Sequence, residues 1–130
     1  MNFAEHTINL AKENVRNGGR PFACTHDPTA RAEILAVRAA CMKLQTEHLT
    51  DCEIYVLASP CPMCLGSLYY CSPKKVIYLT TREEYSAYYT DNRKYFELET
   101  SYDEYSKLIG ERRLPMVKEP RKEALEVYAL

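Results

Sequence analysis

A chain of 130 residues, 46% of them hydrophobic, has the size of one domain and enough apolar material to bury a core, which excludes a disordered segment. Seventeen basic against 18 acidic side chains leave a net charge of −1, which argues against a protein that grips nucleic acid mainly by neutralising phosphates. No apolar run approaches the ~20 residues of a membrane span, and the opening Met1-Asn2-Phe3-Ala4-Glu5-His6 has neither the basic nor the apolar stretch of a secretory leader. A reducing, cytoplasmic setting is therefore expected. There the six cysteines serve as packing, metal ligands or reactive thiols rather than as a disulfide framework.

Phe3, Ile8, Leu10, Ala11 and Val15 predict a first helix over 3–15, ended by Gly18-Gly19. After the short Arg20-Pro21-Phe22-Ala23-Cys24 segment, Asp27 is a good N-cap and Pro28 fits a first helical position. Ala30, Ile34, Val37, Cys41 and Leu44 then recur at helical spacing, so a helix is expected over 28–46. Glu53 to Ala58 reads as a buried strand, Pro62 to Tyr70 as a helix, and Lys75 to Thr80 as a second strand. This alternation points to an α/β fold with parallel neighbouring strands. Residues 82–111, rich in tyrosine and charge, read as short helices and loops. Leu114 to Lys118 is expected to form a third strand, and Pro120 to open a last helix. Residues 1–130 are expected to make a single domain.

Of the six cysteines, only Cys61 and Cys64 have a motif spacing; Cys24, Cys41, Cys52 and Cys71 read as buried packing. Two thiols three residues apart at a helix start can supply half of a tetrahedral zinc shell, and the helix amides favour the thiolate that a metal needs. Redox pairs and unliganded turns share the same spacing. Glu33, in the first turn of the preceding helix, is by itself an ordinary dipole partner.

Taken together, Asp27-Pro28-Thr29-Ala30-Arg31-Ala32-Glu33 and Pro60-Cys61-Pro62-Met63-Cys64 resemble the zinc-dependent deaminase family, whose signature is His-x-Glu followed at a distance by Pro-Cys-x-x-Cys. The longer stretches around them are similar to bacterial guanine deaminases, with tRNA adenosine deaminases next. The resemblance implies a three-layer α-β-α sandwich of the cytidine-deaminase type. It also implies Zn2+ held through Cys61 and Cys64, and Glu33 as the proton shuttle for hydrolytic deamination of a purine. The near-neutral charge favours a free base, guanine, over tRNA. A homodimer whose C-terminal segment crosses to the partner subunit is implied as well, with Tyr85, Tyr88, Tyr89 and Tyr95 lining that interface, capping the purine or simply packing.

The sequence departs from the family in two places. Arg31 stands at the histidine-ligand position, and a guanidinium has no lone pair to give a metal and never loses its charge. Even losing a residue that only hydrogen-bonds a ligand costs ~10- to 100-fold in metal affinity, so losing a ligand should cost more. His26, before the predicted N-cap, is the nearest substitute; His6 and His48 read as surface residues. Secondly, only Ala23, Cys24, Thr25 and His26 separate Phe22 from Asp27, where relatives carry a β-hairpin. A sheet shortened to about three of five strands is therefore expected, with the edge of the 53–58 strand exposed. The base-contacting asparagine near the end of that hairpin has no counterpart, leaving the substrate-binding residues unidentified. Three readings follow: a hydrolytic purine deaminase, a deaminase-fold protein that has lost catalysis, and a small zinc or redox module using Cys61 and Cys64 alone.

Overall fold

The computed structural model describes residues 2–17 and 27–130. The chain divides into two compact units, Met1–Thr90 and Asp91–Leu130. The first runs α1 (Phe3–Arg16), α2 (Ala32–Leu44), β1 (Glu53–Ala58), α3 (Pro62–Cys71), β2 (Lys75–Thr80) and α4 (Arg82–Tyr85). The second holds α5 (Ser101–Ser106), α6 (Glu123–Glu126) and three short 3-10 turns.

β1 and β2 pair in parallel, with Glu53 opposite Lys75, Ile54 opposite Val76 and Ala58 opposite Thr80. Parallel pairing requires a crossover, and α3 provides it. Leu49, Leu68 and Cys71 form the buried centre, with Val37, Ala40 and Cys41 of α2 and Ile54 and Val76 of the sheet packed around them. Each leucine buried there contributes about 1.5–3 kcal/mol. On the opposite sheet face, Phe3 of α1 meets Tyr55 of β1 with ring centroids 5.4 Å apart. Successive strand residues point to opposite faces, so α1 lies on one side of the sheet and α2 and α3 on the other. This is the expected layering of an α/β sandwich.

Two expectations need correction. The second helix starts at Ala32, not at residue 28. Asp27 is not its N-cap: the carboxylate accepts from the Thr29 N–H at 2.8 Å and the Thr29 hydroxyl at 2.6 Å, closing a turn before the helix. Arg31 takes the N-cap position instead. The third strand expected at Leu114 to Lys118 does not form, and the sheet of the described residues has two strands. Its apolar residues are exposed, Val117 by 93%, and the segment joins no ladder that would repay ordering it as a strand. The terminal helix begins at Glu123, after Pro120.

Among the described residues β1 pairs only with β2. Beside β1 lies a cavity of about 420 Å³, walled by Leu10 and Ala11 of α1, Leu35 and Ala36 of α2, and the strand itself. Phe3, Leu10 and Val15 of α1 remain about half exposed. No described helix is long and apolar enough to cross a membrane.

In the second unit, Glu104 is buried yet charged, and Arg113 holds it. The Arg113 N–H donates to Glu104 Oε2 at 2.9 Å, the guanidinium lies 3.4 Å from the same oxygen, and Lys107 Nζ lies 3.2 Å from Oε1. Arg113 also reaches Glu97 at 3.0 Å. Burial pushes the Glu104 carboxyl up, but these donors outweigh it and hold it below the usual carboxylate range. This cluster fixes the backbone around Arg112 and Arg113 in a segment with little apolar burial.

Candidate functional site

Two helix starts converge. Pro62 occupies the first turn of α3, where its missing N–H is no loss, and Cys61 is the N-cap. The Cys61 carbonyl accepts from the Leu65 N–H at 2.8 Å. Its side chain is half-buried, whereas Cys64, one turn on, is fully buried. Arg31 is the N-cap of α2: its backbone is extended, its carbonyl accepts from the Leu35 N–H at 3.0 Å, and its side chain makes no capping bond. Glu33 follows in the first turn, where the helix dipole favours a carboxylate.

Packing of α2 on α3 brings these ends together. The Cys64 thiol donates to Glu33 Oε2 at 3.5 Å, a long bond that joins residues 31 positions apart. Cys61 is pushed down to about 6, first by the hydrogen bond from the Cys64 thiol and further by the Arg31 guanidinium, with burial opposing. Cys64 is pushed up, first because it donates that bond, then by burial and by the Glu33 charge. The pair thus shares one negative charge, resting on Cys61, with the remaining proton held on the Cys64 sulfur. Arg31 supplies the positive charge beside them.

Tyr85 stands close to this group. Burial raises its phenol, and the nearby Cys61 charge raises it further while Arg82 and Arg31 oppose. A capping box places it: the Thr81 N–H donates to Glu84 Oε2 at 2.7 Å and the Glu84 N–H to Thr81 Oγ1 at 3.3 Å, starting α4 directly after β2. The sequence signals the box in Thr81-Arg82-Glu83-Glu84, but it groups Tyr85 only with its neighbouring tyrosines. Tyr88, by contrast, is 90% exposed.

Structural zinc takes four protein ligands and catalytic zinc three. Among the described residues no group of three or more histidine, cysteine, aspartate or glutamate side chains is placed to hold a metal ion. The third potential donor, Glu33, is engaged by the Cys64 thiol, and Arg31 brings a fixed cation to the position from which a ligand would come. These residues do not fit a zinc ion. His26 lies outside the described residues, as does Cys24. Cys41, Cys52 and Cys71 sit in or against the core as free thiols, as expected for packing.

Comparison with known proteins places these features. The sequence profile of the cytidine and deoxycytidylate deaminase zinc-binding region matches residues 4–80. The guanine deaminase of Bacillus subtilis (strain 168) is 35% identical over 133 residues, covering 87% of this chain and 81% of that protein. The tRNA-specific adenosine deaminase of Aquifex aeolicus (strain VF5) is 48% identical over 52 residues, covering 40% of this chain and 34% of that one. The X-ray structure of guanine deaminase from Bacillus subtilis matches the fold with a TM-score of 0.83 at 30% identity, over 98% of this chain and 89% of that one.

Proposed function

Since the chain belongs to the cytidine and deoxycytidylate deaminase family, we propose that it is a guanine-deaminase-type domain whose hydrolytic activity is impaired because Arg31 replaces the metal as the cation of the site. The observation that carries this reading is Arg31 at the N-cap of α2, its charge bearing on both Cys61 and Cys64. A guanidinium neutralises thiolate charge but neither binds water as a Lewis acid nor gives up a proton near neutral pH. Glu33 keeps the position of the family's proton carrier, yet its carboxylate is occupied by the Cys64 thiol.

The substrate class of the reading is a free purine base, guanine first. The similarity to guanine deaminase over most of the chain and the net charge of −1 support it over tRNA. Residues 1–130 act in it as one deaminase-like domain and as a homodimer, with the C-terminal segment exchanged between subunits. Exposed apolar side chains in that segment, Leu125, Val127 and Tyr128 among them, support the exchange.

Ammonia and xanthine release from guanine tests the reading. The purified chain is expected to release neither above a blank without enzyme, and Arg31→His to raise release over the parent. Steady turnover by the unaltered chain would refute the loss of activity. The competing reading, an intact hydrolytic deaminase, draws on the same family match but leaves Arg31 unexplained.

A further inference from the structure

We propose that the second unit carries a binding site of its own, for a nucleoside monophosphate, in a cavity that sets aromatic rings beside the cations Lys94 and Arg112. The inference is independent of the reading given above for Arg31, Glu33 and the two cysteines.

The cavity measures about 370 Å³ and is formed entirely within the second unit, by residues between 93 and 116. Clefts that hold small ligands run from about 300 to 1,000 Å³, and this one has room for a single mononucleotide. Its walls combine two chemistries. Tyr95, Phe96 and Tyr105 bring aromatic rings, and Leu114 and Met116, each about half exposed, add apolar surface. Rings of this kind take a nucleobase by stacking, because every base has a flat face. The second chemistry is charge: Arg93, Lys94 and Arg112 stand in the same wall as one carboxylate, Glu104.

These charges do not cancel. Glu104 is already countered by Arg113 at 3.4 Å and Lys107 at 3.2 Å, and Arg93 is paired with Asp91 at 3.3 Å. Among the described residues neither Lys94 nor Arg112 pairs with a carboxylate. The Lys94 ammonium lies 5.0 Å from the centre of the Tyr95 ring, so a cation stands at the aromatic wall itself. The Arg112 guanidinium donates to the Tyr105 carbonyl at 2.9 Å and to the Lys107 carbonyl at 3.1 Å. Those carbonyls fix the planar group without neutralising it and leave further N–H donors for an anion. A base joined to a phosphate matches both halves of the cavity. Inorganic phosphate would leave the rings uncovered, and an uncharged nucleoside would leave the two cations unmatched.

Equilibrium dialysis of the full chain against AMP, adenosine and inorganic phosphate tests the site. AMP is expected to bind once per chain with a dissociation constant between ~10 μM and ~1 mM, and adenosine and phosphate at least ~10-fold more weakly. Lys94→Gln and Arg112→Ala should each weaken AMP by at least ~10-fold, since each removes a charged contact to the phosphate. Met116→Glu should weaken it at least as much by placing an anion in the wall. Lys94 makes no described hydrogen bond, so its variant keeps the test decisive even where loss of Arg112 disturbs the turn it holds. Phosphate binding as tightly as AMP would reduce the site to a bare anion contact, and adenosine binding as tightly would remove the role of the cations. Either result overturns the proposal, as does the absence of binding at ~10 mM AMP. AMP affinity unchanged in both Lys94→Gln and Met116→Glu would put the nucleotide elsewhere on the chain and overturn it as well.

Discussion

Arg31 draws its influence from its place in the backbone. As the N-cap of α2 it stands where the helix start meets that of α3, and its charge acts on Cys61 and Cys64 alike. The Cys61 thiol, ordinarily near 9.0, is lowered to about 6 by the Cys64 hydrogen bond and then by Arg31. A depressed folded value means that the anion's contribution to stability is complete above the unfolded value near 9.0 and is lost as pH falls through 6. Alkylation of Cys61 by iodoacetamide in the native protein should accordingly reach half its maximal rate near pH 6. A half-maximal rate near pH 9 would show that the thiol is not stabilised as an anion. Cys61 and Cys64 were legible as a pair from their spacing alone. The bond between Cys64 and Glu33 was not, because it depends on how two helices pack across 31 residues. Tyr85 was not legible as a neighbour of the site for the same reason.

At the scale of elements, hydrophobic period separated helix from strand wherever a partner surface existed. β1, β2, α1 and α3 lie where their patterns put them because each packs on another element. Leu114 to Lys118 has the composition of a strand but no ladder to join, and composition alone cannot supply one. The start of α2 differs from the expected residue 28 because Asp27-Pro28 satisfies the rules for a cap and for a turn equally well. The Thr29 hydroxyl decides for the turn. The tail from Glu119 onward is the element whose role depends most on a second copy of the chain. Leu125 is 72% exposed and Tyr128 88%, more apolar surface than a segment gains by standing alone in water. Sedimentation equilibrium should give twice the chain mass of 15.0 kDa for the full chain and a shift toward the monomer when residues 119–130 are deleted. A monomeric full chain would remove the exchange. The Glu104–Arg113 cluster lies before the deletion, so the fold around it should survive.

Across the whole molecule, the scaffold and the site tell different parts of one history. A TM-score of 0.83 against a solved guanine deaminase shows that the chain has that fold. Yet β1 pairs on one side only among the described residues, and a cavity of about 420 Å³ opens beside it with Glu33 in its wall. On the proposed reading, the cation at Arg31 acts against the metal centre that hydrolytic deamination in this family relies on. A sandwich of this kind tolerates such change because its core, built on Leu49, Leu68 and Cys71, lies at the other end of α3 from Cys61. Zinc content measured on protein purified without chelator, the parent beside Arg31→His, tests the central claim most directly. The parent should hold well below one zinc per chain, and the histidine variant should hold more. One zinc per chain in the parent, or no gain in the variant, would contradict the account.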